Sequence, residues 1–262
     1  MSQRTLSRRS GRIRKAHYLF AASPLLPARP PKTYCRRQAW KDTSQPLSRT
    51  DSMNRQQLRR RLRQRRRSLS ATQQRQAAID LCRAIVSANE LLSVRHLALY
   101  LPNDGEIDPS LLIPYFHKRG INLYLPVLRP YVENRLWFVR LQPDTRLARN
   151  RFGIWEPETR SAAHSSKRLP AWALNMVLMP LVGFDEQGGR LGMGGGFYDR
   201  SLSFKHVGKN TSGSNTRPAL IGLAHDCQCV DKLELAPWDI PLQNIVTAQR
   251  GWLLRNKSKH LQ

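Results

Sequence analysis

Six glycines fall between Gly188 and Gly196, inside the stretch PLVGFDEQGGRLGMGGGFYDR from Pro180 to Arg200. Glycine takes positive φ without a steric cost and lets a ligand come close to backbone N–H groups. The run follows an apolar segment, Met176 to Val182, and precedes a segment from Phe197 to Phe204 that can start a helix. It therefore reads as a strand, a glycine-rich turn and a helix N-terminus, where free N–H groups and partial positive charge favour a phosphate. Glycine clusters also make plain flexible turns, so the context has to carry the reading. The run lacks the lysine and hydroxyl ending of a P-loop, and no long dinucleotide-binding βαβ unit surrounds it.

The surrounding elements place this turn. From Asn54 to Arg67, NRQQLRRRLRQRRR sets Leu58 and Leu62 four residues apart, with Arg55, Arg59 and Arg63 on a neighbouring stripe of one helix. Ser70 and Gln73 form a capping-box pattern before a second helix, whose apolar positions run from Ala77 to Val86. His96 to Leu101 reads as a buried strand, followed by the polar loop NDGEID. Pro109 opens a helix that Gly120 closes near Arg119, with a kink expected at Pro114. Ile121 to Leu128, Leu136 to Leu141 and Leu220 to Ala224 read as further strands, with a turn over Arg129 to Asn134. This alternation predicts one three-layer α/β/α domain over residues 53–262, with a largely parallel sheet and its ligand loops at strand carboxyl ends.

The net charge of +26 points first to nucleic acid or an anionic surface, but +10 lies in residues 1–52 and +8 in residues 53–67. Residues 1–52 mix Arg, Ser and Pro, have no acid before Asp42 and no sustained apolar period, so they are expected to be a disordered basic extension. Their composition fits a transit peptide; Met53 is an alternative start. A basic RNA-binding protein acting through residues 1–67 is the competing reading, although the run lacks interleaved aromatics. Cys35, Cys82, Cys227 and Cys229 form no CxxC pair, which fits a reducing cytosol, and no apolar run approaches membrane-spanning length.

Gly188, Arg190, Leu191, Gly192, Gly194, Gly196, Tyr198 and Asp199 resemble the signature of the 5-formyltetrahydrofolate cyclo-ligase family, also called methenyltetrahydrofolate synthetase. The resemblance extends to YLPNDGEID from Tyr100 to Asp108, LPV at Leu125 to Val127, and WDIPLQNIVT from Trp238 to Thr247. It covers roughly residues 53–247 and implies an ATP- and magnesium-dependent ring closure of 5-formyltetrahydrofolate to 5,10-methenyltetrahydrofolate, releasing ADP and phosphate.

The resemblance also implies roles for individual residues. ATP is expected at Arg55 and Arg59 of the first helix and along Arg190, Leu191, Gly192, Met193, Gly194, Gly195, Gly196, Phe197 and Tyr198. The folate is expected at Leu101, Glu106 and Trp155, and again along Met193 to Phe197. Arg190, Tyr198 and Asp199 would act on the reacting groups, and Asp199 and Asp239 would hold magnesium. Read alone, Glu106 is a solvated loop acid, Trp155 a core or surface anchor, and Asp239 a turn cap. Relatives with a basic residue in place of Met193 or Gly195 imply that this chain leans more on backbone N–H groups and on Arg55 or Arg59. His225 and Asp226 are adjacent on one strand end and are read as structural. The expected partners are ATP and 5-formyltetrahydrofolate, with no membrane and no specific nucleic acid, for a cytoplasmic monomer.

Overall fold

The computed structural model describes residues 13–21, 54–88, 91, 93–132, 134–158, 167–207 and 218–253. In chain order its strands are β1 (Arg14–Lys15), β2 (His96–Ala98), β3 (Asn122–Leu128), β4 (Leu136–Arg140), β5 (Arg146–Arg149), β6 (Trp155–Pro157), β7 (Arg168–Leu169), β8 (Met176–Pro180), β9 (Gly183–Phe184), β10 (Arg190–Leu191), β11 (Ala219–Ala224), β12 (Asn244–Thr247) and β13 (Gly251–Trp252). The α-helices are α1 (Arg55–Arg67), α2 (Ala71–Val86), α3 (Leu112–Lys118), α4 (Phe197–Ser201) and α5 (Phe204–Val207).

Eight strands form the central sheet in the order β13-β12-β11-β8-β2-β3-β4-β7. The five inner strands, β12, β11, β8, β2 and β3, are parallel, and antiparallel partners close both edges. The chain moves outward one way from β2 to β3, then returns beside β2 and moves the other way through β8, β11 and β12. The switch point of this doubly wound sheet therefore lies between β2 and β8, where the segments leaving adjacent strands diverge and open a crevice at the carboxyl ends.

Alternation along the strands fills two cores. Met176 and Leu178 of β8 face α2 and α3 in one cluster, whereas Val177 and Met179 face the other side, with Leu202 and Ile245. The largely parallel, three-layer expectation holds, but one cover is thin, since α4 and α5 span only five and four residues. Capping boxes start both long helices, Asn54 with Gln57 and Ser70 with Gln73. Only the second is among the expected ones.

Three expectations are corrected. Helix α3 begins at Leu112, so Pro114 sits in the first turn, where its missing N–H forfeits no helical bond and no kink is required. A hairpin, β9 with β10, separates β8 from the glycine loop. Gly188 and Gly189 belong to its turn, where the buried carboxylate of Asp185 accepts N–H bonds from Gln187 and Gly189 at 2.9 and 2.8 Å. The third correction concerns the expected disorder of residues 1–52. Within that stretch β1 pairs with β5 in a small three-stranded sheet with β6, and a 3-10 turn over Ala16–Phe20 follows it. Ala16 is fully buried and its N–H donates to the Thr145 carbonyl at 2.9 Å, while Phe20 meets His117 edge to face at 4.8 Å. Residues 1–12 and 22–53, Cys35 among them, and most of the polar loop 207–217 lie outside the described residues.

Candidate active site

Both loops at the switch point carry expected site residues: NDGEID follows β2, and the glycine segment follows β8 through its hairpin. A cavity of about 760 Å³ opens beside them, lined by Arg55 and Arg59 of α1, by Arg190, and by the loop from Gly192 to Gly196. Phe197, Tyr198, Asp199, Arg200 and Ser203 continue the wall, and Pro180, Trp238 and Asp239 complete it. Four arginines against two aspartates give it a positive balance suited to a polyanion.

The loop conformation needs glycine at two positions. Gly194 has φ of +99°, and a Cβ there would lie 3.4 Å from the Arg59 guanidinium carbon. Gly196 has φ of +66°, and its Cβ would be only 2.7 Å from Arg200 Nη1. Arg59 fastens the loop to α1, donating from Nε to the Gly192 carbonyl at 2.8 Å. Burial and the neighbouring Arg55 lower the Arg59 pKa, with Asp239 opposing them.

Asp199 accepts from Arg190 and from the Ile240 N–H on the same oxygen, Oδ1. Asp239 likewise uses one oxygen, Oδ2, for Arg55 at 3.0 Å and for the Ala236 N–H at 2.9 Å. Each carboxylate thus keeps a second hard oxygen for a cation. Among the described residues no three acidic, His or Cys side chains cluster as a self-sufficient metal site. The pair fits a magnesium ion that takes its remaining ligands from phosphate and water.

Of the expected ATP residues, Leu191 alone is away from the cavity wall, buried with Leu58, Leu62 and Val182 under α1. The expected folate residues of the other loop do not line this cavity. Leu101 is 7% exposed in the larger core cluster. Glu106 is close enough to oppose ionisation of Tyr198, whose pKa is raised first by burial. Its own carboxyl is pushed up to about 7 by burial, against the attraction of Arg66. Trp155 stands apart in β6, with the guanidinium carbons of Arg14 and Arg149 over its ring at 5.1 and 5.2 Å from the centroid. That placement supports the anchoring reading of Trp155 over substrate contact.

Sequence reasoning overlooked Trp238, which is 69% exposed at the cavity wall beside Asp239, and it overlooked Asp104. The signal for both lay in the segments WDIPLQNIVT and NDGEID, where Trp238 adjoins Asp239 and Asp104 precedes Glu106. Asp104 accepts from Arg63 at 2.7 Å, from Arg66 at 2.8 Å and from Arg67. Arg65 also donates, to the Cys227 carbonyl at 3.4 Å. Much of the basic run therefore has a structural use that requires no nucleic acid. His225 is buried, and burial pushes its pKa down to about 4. Asp226 accepts from Thr247 and the Gln249 N–H, in keeping with a structural role.

A doubly wound sheet with an arginine-lined, glycine-walled cavity at its switch point defines an α/β protein with a positively charged ligand cavity. Comparison with known proteins narrows the class. Residues 51–248 match the model of the 5-formyltetrahydrofolate cyclo-ligase family. The chain is 39% identical over 196 residues to the 5-formyltetrahydrofolate cyclo-ligase of Haemophilus influenzae, covering 75% of this chain and 98% of that protein. It is 39% identical over 191 residues to the Escherichia coli protein of the same name, covering 73% and 98%. Among solved structures it resembles Aquifex aeolicus 5,10-methenyltetrahydrofolate synthetase with a TM-score of 0.64 and 28% identity, over 80% of this chain and 97% of that one. The chain belongs to the 5-formyltetrahydrofolate cyclo-ligase family and is a ligase.

Proposed function

We propose that the cavity binds ATP with magnesium and that the protein closes 5-formyltetrahydrofolate to 5,10-methenyltetrahydrofolate, releasing ADP and phosphate. One observation carries this reading: the glycine loop, four arginines and two half-used aspartates converge on a single cavity.

The chemical difficulty is the formyl oxygen, a poor leaving group on a poor electrophile. Transfer of the γ-phosphoryl group to that oxygen forms an O–P bond and gives an imino-phosphate with ADP as leaving group. The second folate nitrogen then attacks the activated carbon, its proton departs, and the C–O bond breaks to release phosphate. Such a transfer needs alignment and charge neutralisation rather than a protein nucleophile. Arg55, Arg59 and Arg190, with the loop N–H groups from Gly192 to Gly196, hold the phosphate chain in line. Asp199 and Asp239 hold magnesium, which when bound neutralises phosphate charge. Tyr198, kept as a neutral phenol by burial, can donate a hydrogen bond to an anion. Glu106 accepts paired hydrogen bonds from the amino-pyrimidine of the pterin. The buried, unpaired thiols of Cys82, Cys227 and Cys229 are in keeping with a reducing cytosol, and among the described residues no helix is long and apolar enough to cross a membrane.

The test is absorbance of the methenyl product after mixing the full chain with 5-formyltetrahydrofolate, magnesium and ATP. Product should appear only with ATP. Folded protein that forms none under these conditions defeats the proposal.

A further inference from the structure

Arg66 is the largest fully buried side chain of the fold, with no exposed surface. It lies near the end of α1, beyond the cavity, and it cannot touch a ligand. Its guanidinium nevertheless spans the switch point. Nε donates to the Asp104 carbonyl at 2.8 Å, Nη2 to Asp104 Oδ2 at 2.8 Å, and Nη1 to the Leu181 carbonyl just after β8 at 3.0 Å. The same Nη2 stands 3.8 Å from Glu106 Oε1.

The turn it grips is tight. Asp104 and Gly105 both have positive φ, +55° and +75°, and the Glu106 N–H closes the turn on the Asn103 carbonyl at 3.0 Å. Aspartate followed by glycine suits a turn with positive φ at both central residues, and the surroundings fix where this turn sits. Those surroundings are α1: Arg63, Arg66 and Arg67 all reach the Asp104 carboxylate, and Gln74 of α2 donates to the Arg66 carbonyl at 2.9 Å. Against burial, the three arginines hold the Asp104 carboxyl below its ordinary value, so the clamp stays charged.

We propose that Arg66 is a positioning residue for the folate: it locks the Asp104–Gly105 turn against the end of β8 and thereby aims the Glu106 carboxylate at the substrate. This rests on the assignment of Glu106 to the pterin. The glycine loop is fastened separately, through Arg59 and Gly192, so Arg66 acts on one substrate and not the other. The charged and titratable groups facing Glu106 are Arg66 and Arg63 from α1, Asp104 in its own loop, Tyr100 after β2 and Tyr198 of α4, with His225 beside Gly105. Only ionised Glu106 accepts the paired bonds, so the folate KM rises as pH falls through about 7. Loss of the nearby positive charge moves that limb to higher pH.

The experiment measures KM for each substrate, kcat and the pH profile for Arg66→Lys, Arg66→Met, Glu106→Gln and the Arg66→Met/Glu106→Gln double variant of the full chain. The folate KM should rise in the order wild type, Arg66→Lys, Arg66→Met, by about tenfold in the last, the effect expected from losing a charged hydrogen-bonding partner. The ATP KM should not change, and the acid limb of Arg66→Met should move up in pH. In the Glu106→Gln background Arg66→Met should add little. Equal fold-effects with and without Glu106 overturn the proposal while leaving Glu106 in the folate site. An unchanged folate KM in Glu106→Gln sinks the Glu106 assignment itself. Should Arg66→Met fail to fold, Arg66→Lys decides, because it keeps the charge but cannot span both carbonyls; an unchanged folate KM there also overturns the proposal.

Discussion

Arg55 and Asp239 stand 184 residues apart in sequence and meet at the cavity wall, with Nη1 3.0 Å from Oδ2. The pair joins the helix assigned to phosphate to a carboxylate assigned to magnesium. Because the Arg55 side chain is 33% exposed, the pair itself adds little stability, on the order of 1 kcal/mol or less. Asp239→Asn should therefore leave Tm nearly unchanged while lowering turnover at limiting magnesium by about 100-fold, in the range seen when one electrostatic group of an active site is lost. Magnesium titration of turnover, read beside a thermal melt, checks this; turnover unaffected at limiting magnesium removes Asp239 from the metal site. Asp199→Asn is the less clean variant, since it also takes the carboxylate from Arg190, whose side chain is 7% exposed.

Gly194 and Gly192 line the same loop but should respond differently to alanine. At Gly192 an added Cβ meets nothing within 4 Å, whereas Gly194 combines φ of +99° with the nearby Arg59 guanidinium. Gly194→Ala should cost about 1–3 kcal/mol and raise the ATP KM, while Gly192→Ala should fold as stably as wild type. Denaturant melts and ATP kinetics separate the two; equal stability losses would mean that the loop conformation is not what glycine supplies.

Among the titrations that set stability between pH 4.5 and 6.5, those of His225 and Glu106 oppose each other. His225 has a folded pKa of about 4, below its ordinary 6.5, so in this window the unfolded chain binds the extra proton and stability rises with pH. Glu106 has a folded pKa of about 7, above its ordinary 4.5, so here the folded chain binds the extra proton and stability falls with pH. Glu106→Gln removes only the second term. Its unfolding free energy should climb relative to wild type by about 1.4 kcal/mol per pH unit across the window, the value of a single proton. Parallel curves for the two proteins would contradict the raised Glu106 pKa.

The N-terminal segment should affect stability without affecting chemistry. Starting the chain at Met53 removes β1 from the edge of β5, uncovers the Ala16 contact and takes Arg14 from one face of Trp155. Deleting residues 1–52 should lower Tm by several degrees, about 2–4 °C for each kcal/mol lost, with kcat/KM for both substrates preserved. An unaltered Tm would deny the segment any structural part.

Local chemistry made much of this molecule legible. The Ser70 and Gln73 cap and the apolar strands β3 and β8 each have a signal within a few residues, and each appears where it was expected. What stayed hidden depends on distant partners. Nothing near Asp104 tells that three arginines some forty residues earlier will enclose it, and nothing near Ala16 announces a place beside Thr145. The β9–β10 hairpin escaped for a different reason: its two-residue strands are too short to show a period, and its turn glycines merged with those of the loop. Trp155 could be read from its segment either as an anchor or as a ring to stack on a pterin, and only the distant Arg14 and the neighbouring Arg149 show what its ring meets.

Helix α1 has a consequence for the order in which the molecule comes into being. Its anchors are the Asp104 turn, the Leu181 carbonyl 115 residues from Arg66, and Asp239. Arg55 of this helix must therefore wait for a segment 184 residues further along the chain before it finds its partner. Closing so long a loop is slow relative to local pairing, so the cavity should be among the last features to form. A chain that lacks the Asp239 segment could build much of its sheet and still lack a finished cavity wall.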